Sequence, residues 1–351
     1  MGPAGEISNE NHALAAAWGV SVPTDEGGGQ KAKGERGKGK GERERQRPAA
    51  RETHHLSLIT RFEGILPHSS LAFGARPVQL VMPLLTRIAH EKLRAAMKTG
   101  ARAVECSLDL ERSTTTAEVG AAGWNWQGQQ YPWLESCKDR TIYYWTGEGF
   151  EPAARFTTSL IKLVPTEWGP PTFEIDGIKM LPTAQGSPYA DAQRKVGLIR
   201  PRGKVILDTC GGLGYFAAWC VLGQARLVLS YEKNPDVIWL RSLNPWSPAI
   251  GGALTLTGGD IAEQIAMLPA GSVDAILHDP PRFGTAGELY SQVFYNHLAR
   301  VLKRKGRLFH YTGAPNKLTS GRDVPNEVAK RLRHAGFAAA LEGDGVLAVK
   351  N

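Results

Sequence analysis

A chain of 351 residues, 42% hydrophobic and 22% charged, has the composition of a globular protein with room for one sizeable core and a smaller companion domain. Its apolar runs fall short of the roughly 20 residues that span a bilayer, and its first residues lack the basic-then-apolar layout of a secretory leader. Four cysteines (Cys106, Cys137, Cys210, Cys220) show neither CxxC spacing nor a Cys/His cluster, which argues against a disulfide scaffold or a metal site and for the cytoplasm.

In chain order, residues 1–75 carry little hydrophobic periodicity. Their run "GGGQKAKGERGKGKGERERQRPAARE" interleaves Glu with Lys and Arg among glycines. The net charge of +8 therefore does not make it a basic arm, and a disordered mixed-charge tail is expected. Met82 opens the first amphipathic segment, "MPLLTRIAHEKLRAAMKTG", and is an alternative start. Leu84, Leu85, Ile88, Leu93 and Met97 approximate helical spacing there, with Gly100 as the stop. Short alternating runs follow to about residue 182, so residues 76–185 are expected to form a helix and a small, mainly β domain. Trp124, Trp126, Trp133 and Trp145 suit its core better than an aromatic recognition surface.

Over 186–351 the texture changes to strand–helix alternation. "KVILD", "RLVLSYE", "ALTLT", "VDAILHD" and "GRLFHY" read as buried strands, separated by "YFAAWCVLG", "PDVIWLRSL", "IAEQIAMLP" and "SQVFYNHLARVLK" as helices. A last helix, "DVPNEVAKRLRHAG", precedes a hairpin turned at Asp344-Gly345. The expectation is an α/β class: a Rossmann-like, seven-stranded parallel sheet with an antiparallel C-terminal hairpin. "RVLKRKGR", Arg300 to Arg307, reads as a solvated helix end whose cations complement the dipole.

Ligands bind such sheets beyond the carboxyl ends of the strands. There the first strand ends in "DTCGGLGYFA". Gly211, Gly212 and Gly214, with Thr209, form a tight turn that lets a ligand approach backbone. The same string satisfies a dinucleotide pattern, yet Asp208 before the turn would meet a pyrophosphate unfavourably. It suits a sulfonium nucleoside bearing an amino acid, S-adenosylmethionine. Glu232, at the end of the second strand beside Lys233, is placed to accept from both ribose hydroxyls. Asp260, beyond the third strand, suits an adenine amino group with Ile261 on the ring; a helix N-cap is its other use.

The fourth strand ends in "HDPPRF". Asp279 is the expected partner of an acceptor N–H or O–H, and Pro280 and Pro281 stop the strand and leave carbonyls available. His278 is a candidate proton relay, Arg282 a fork for carboxylate or phosphate, and Phe283, Tyr290, His310 and Tyr311 candidate pocket walls, with Tyr295 and Tyr311 equally suited to the core.

The strings "LDTCGGLGY" (207–215), "NPWS" (244–247), "HDPPRF" (278–283), "AGELYSQVFY" (286–295) and "GRLFHY" (306–311) resemble class I S-adenosylmethionine-dependent methyltransferases, in a spermine-synthase-like branch common in archaea. The resemblance covers about 162 to 351. It implies transfer of the sulfonium methyl to an N or O nucleophile. "HDPPRF" is also similar to the [DN]-P-P-[YF] signature of amino methyltransferases, but Arg282 stands where that signature has its aromatic. Two other readings are weighed. A polyamine aminopropyltransferase would use decarboxylated S-adenosylmethionine, but Arg282 would repel a polyamine. A nucleic-acid-binding protein with a degenerate domain conflicts with the full acid set. The acceptor (RNA, protein or small metabolite) and the oligomeric state, a homodimer among the options, stay open; no membrane partner is expected.

Overall fold

The architecture is that of a computed structural model, which describes residues 82–282, 284, 286–313 and 323–351. All of these fall within one compact unit spanning 76–351. The tail expected over 1–75, and the question of a start before Met82, lie outside the described residues. Among the described residues no helix is long and apolar enough to cross a membrane.

The strand-rich stretch forms three small antiparallel sheets. Leu84–Leu85 pair with Tyr143–Trp145, which pair in turn with Phe150–Pro152; meanders run through Ala103–Pro132 and Ala154–Lys179. The helix expected from Met82 begins later. Thr86 caps it, its hydroxyl accepting from Ala89 N at 3.2 Å, and it runs Arg87–Lys98. Leu84 and Leu85 are buried as a strand, and Ile88 faces solvent. Apolar spacing alone does not separate a two-residue strand from the turn of helix beside it. Trp124 and Trp126 are core residues, Trp124 stacked on Tyr131 at 4.5 Å between centroids.

The larger sheet has seven strands: β1 Val205–Asp208, β2 Leu227–Glu232, β3 Leu254–Gly258, β4 Val273–His278, β5 Leu302–Tyr311, β6 Phe337–Glu342 and β7 Gly345–Lys350. Their spatial order is 3-2-1-4-5-7-6, with β1 to β5 parallel and β7 antiparallel to both neighbours. This is the expected Rossmann-like sheet with its terminal hairpin. The order reverses beside β1, which puts the crevice at the carboxyl ends of β1, β2 and β4.

Residues alternate across the sheet as its pleat requires. Ile206, Val228, Ala275, Leu277 and Phe309 share one cluster with helices α1 Pro188–Ile199, α2 Tyr215–Leu222 and α3 Pro235–Leu243. Val205, Leu207, Ile276 and Leu308 share the other with α4 Ile261–Gln264, α5 Gln292–Val301 and α6 Val324–His334. Helix α1 is absent from the sequence reading, although Ser187-Pro188 is a helix-start pair: Ser187 accepts from Tyr189 N and Pro188 opens the helix.

The run Arg300–Arg307 is a helix end, as expected, only over Arg300 and Val301, with Arg300 in the last turn. Helix α5 stops at Val301, and β5 begins at Leu302.

Candidate functional site

The loop Thr209–Gly214 is stitched to the sheet on both sides. Thr209 N donates to Leu277 O at 3.1 Å, and Gly211 N to Tyr231 O at 2.7 Å. The glycines do not all face a ligand, as the sequence suggested. A Cβ on Gly211 would sit 2.5 Å from Ser230 Oγ, and one on Gly214 would sit 2.6 Å from the Arg241 guanidinium. Two of the three glycines therefore make room for the protein's own buried arginine. Gly212, at φ +48°, would place a Cβ 3.7 Å from the Phe173 ring, with ordinary space around it.

Arg241 was missed in the sequence because a cation in the last turn of α3 reads as a solvated complement to the helix dipole. Its Nη1 donates to Ser230 Oγ at 3.3 Å, and Ser230 Oγ donates to Asp208 Oδ2 at 2.8 Å. The chain guanidinium–hydroxyl–carboxylate anchors Asp208 from below. Asp208 Oδ1 and Arg241 Nε and Nη2 are buried without hydrogen-bond partners among the described residues. Burial pushes the Asp208 carboxyl up to about 6, against the opposing pull of Ser230 and Arg241.

Glu232 closes the loop from β2. Its Oε2 accepts from Gly212 N at 2.9 Å and its Oε1 from Asn234 N at 3.0 Å, while burial raises its pKa. Backbone N–H groups, that of Lys233 among them, use part of the carboxylate's acceptor capacity, and the remainder is left for a ligand hydroxyl. Asp260 is the N-cap of α4, its Oδ1 accepting from Ala262 N at 2.8 Å. Its Oδ2 meets Lys233 Nζ at 3.4 Å, and Lys233 also lies 3.8 Å from Glu288. Ile261 is buried beneath.

At the end of β4, His278 is wholly buried. Its Nδ1 lies 2.7 Å from Thr209 Oγ1 and its Nε2 3.1 Å from Leu289 O. Burial and the neighbouring His310 hold it well below the ordinary imidazole range. Expected as a proton relay, His278 is here a ring withdrawn from solvent with both nitrogens engaged, one of them on Thr209 beneath the glycine loop. His310, expected in the pocket wall, is likewise buried, bonded to Tyr295 OH at 3.0 Å and held at about 4 by burial.

Asp279 is the exception. It is half-buried, and among the described residues no hydrogen bond reaches its carboxylate. Burial raises it to about 6; Lys195 pulls it down, and Asp191, Asp208 and Asp344 push it up. Lys195, from α1, is almost fully buried. It lies 2.6 Å from Asp191 Oδ2, 3.6 Å from Asp344 Oδ2 and 3.7 Å from the centroid of the Tyr311 ring. Tyr290 OH donates to Pro281 O at 3.0 Å, so one carbonyl freed by the prolines is already taken. Pro280 is buried, Pro281 and Arg282 are exposed, and Phe283 lies outside the described residues.

The donor set fits the cofactor read from the sequence. The unmet oxygen of Asp208 and the carboxylate of Glu232 suit a cation and vicinal hydroxyls, and Gly212 beside them is only half-buried. Among the described residues no group of three His, Cys, Asp or Glu side chains is placed to hold a metal ion.

Residues 248–321 match the model of a family described as S-adenosyl-L-methionine-dependent methyltransferase. An uncharacterised protein of Methanocaldococcus jannaschii is 43% identical over 209 residues, 58% of this chain and 71% of that protein. Among solved structures, a spermidine synthase in complex with the transition-state analogue AdoDATO aligns at 16% identity and a TM-score of 0.46, over 56% of this chain and 73% of that one. The spermidine synthase from Thermotoga maritima aligns at 14% and 0.44, over 56% and 71%.

Proposed function

The chain belongs to one family with the Methanocaldococcus jannaschii protein and carries a methyltransferase segment within it, and from that premise we propose that it transfers a methyl group to a nitrogen or oxygen nucleophile. The cofactor of such methyltransferases is S-adenosyl-L-methionine, which when bound supplies an electrophilic methyl on a sulfonium. Asp208, Glu232 and the Gly212 backbone would hold it, with Lys233, Asp260 and Ile261 at the adenine end. The observation that carries the reading is Asp279: a raised, half-buried carboxylate with no hydrogen bond from the described residues, at the lip of the same crevice.

Asp279 orients the acceptor by accepting its N–H or O–H, and it takes up or passes on that proton as the new bond forms. Pro280 and Pro281 hold the backbone in one conformation, and the Tyr290 bond to Pro281 O locks it further. Lys195 supplies the cation that lets Asp279 ionise among three other carboxylates.

The test is calorimetry with S-adenosylmethionine and with its decarboxylated form, followed by radiolabelled transfer into fractionated cell extract. Binding of the intact form and labelled product are expected. Tight binding of the decarboxylated form alone would move the assignment to aminopropyl transfer.

A further inference from the structure

The cations at the amino ends of the strands, opposite the crevice, fall into two groups. Lys204 donates to Ile199 O, Arg307 to Leu198 O, Arg300 to Leu268 O and Ile265 O, and Lys350 to Leu302 O, each satisfying a helix end or a strand edge. Arg200, Arg202, Arg226, Arg304 and Lys305 are exposed, and among the described residues none of these side chains has a hydrogen bond or ion pair.

The sheet brings these five together. Gly203 N donates to Gln224 O at 2.8 Å and Arg226 N to Lys204 O at 2.9 Å, which ties the segment before β1 to the segment before β2. The acid that the register sets among them, Asp274, is already engaged, by Val205 N at 2.8 Å and Lys303 Nζ at 2.7 Å.

The start of β5 is built to display charge. Leu302 pairs with Val273 and Arg307 with Ala275, so Lys303, Arg304, Lys305 and Gly306 bulge out opposite the single Asp274. Lys305 sits at φ +62°, a left-handed conformation that costs a side-chain-bearing residue on the order of 1 kcal/mol. Gly306 has no room for a side chain, since its Cβ would lie 2.6 Å from the Leu302 side chain and 2.7 Å from Lys303 O. A strained bulge that buries Gly306 but holds Arg304 and Lys305 in water is a feature to be explained by what it binds.

We infer that this edge docks the phosphate backbone of a single-stranded nucleic acid. Four strands at about 4.8 Å spacing make a strip roughly 15 Å wide, a width that a strand of phosphates crosses in a few contacts. Four of the five free cations are arginines, whose planar fork matches phosphate oxygens. The acids of the crevice lie at the opposite end of the strands, so the polyanion is held without competing for the cofactor. The inference does not depend on methyl transfer.

The experiment is fluorescence anisotropy of a short, labelled, mixed-sequence single-stranded RNA with the full chain, titrated over salt. The expected affinity falls linearly in log–log form, by about 0.7 for each phosphate contacted. Arg304→Glu with Lys305→Glu, and separately Arg200→Glu with Arg202→Glu, should each weaken binding about tenfold or more and flatten the slope by about 1–2. Melting temperature and cofactor affinity should stay unchanged in both. A wild-type chain that ignores RNA at low salt, or variants that bind it as the wild type does, would overturn the inference. So would anionic phosphatidylserine vesicles being bound in preference to RNA and released by the same substitutions.

Discussion

The two ends of the large sheet carry opposite charge under opposite conditions. At the carboxyl end, Asp208, Glu232 and Asp279 are withdrawn from water, and burial raises each of them. At the amino end, Arg200, Arg202, Arg226, Arg304 and Lys305 stand in solvent, their side chains without a hydrogen bond or close ion pair among the described residues. An acid at that end behaves differently too. Burial pushes Asp274 up, but the Lys303 hydrogen bond and the Val205 N–H outweigh it and hold the carboxyl below its usual value. Charge in the crevice is kept against a folding cost, whereas charge at the far end costs the fold little apart from the turn at Lys305. Substitutions should therefore act strongly at one end and weakly at the other.

The largest effect is expected at Asp279. Asp279→Asn should lower turnover about 10²- to 10⁴-fold while leaving cofactor affinity within error, measured by labelled transfer and calorimetry. Unchanged turnover would remove the carboxylate from the reaction. Gly214→Ala comes next. It combines left-handed strain at φ +82° with a collision against Arg241, and should cost about 3 kcal/mol in urea unfolding. Glu232→Gln should weaken the cofactor by about 1.5–3 kcal/mol, the range for a hydrogen bond to a charged group.

The pH dependence contrasts the ends directly. Asp208 and Asp279 bind their protons more tightly folded than unfolded, both at about 6 against an ordinary 3.8. The folded chain therefore carries extra protons between about pH 4 and 6, and stability should fall as pH rises through that window, then level off. Asp279→Asn should flatten this slope. Asp274 has the opposite sign: its contribution is full above the ordinary value and fades as pH drops below it, so Asp274→Asn should matter least in acid. The smallest effect is at the bulge. Lys305→Gly should raise stability by up to about 1 kcal/mol, and a loss instead would mean that Lys305 is held by a contact rather than strained.

Much of the candidate crevice was legible in the sequence because its signals are local. Each of Asp208, Glu232, Asp260 and Asp279 follows a run of apolar residues that ends at a turn, and the strand order then gathers them. Lys195 escaped notice because a lysine among Ala192, Val196 and Ile199 reads as a solvated position, and only the packing of α1 against Tyr311 and the Asp344 turn buries it. Arg241 escaped for the same reason. The burial of His278 was not legible because a histidine at the end of a strand, next to Asp279 and two prolines, looks accessible in one dimension.

What the sequence determined alone is the succession of strands and helices, the crevice end of the sheet and the acids that border it. Those follow from the period of apolar residues and from turn chemistry, which act over a few neighbours. The tertiary structure decided which glycines pack against Ser230 and Arg241 and which does not. It decided that Asp260 is a helix cap and that "KRKG" is a bulge rather than the end of a helix. Such choices depend on which atom of a distant element fills a given space, and periodicity carries no information about that.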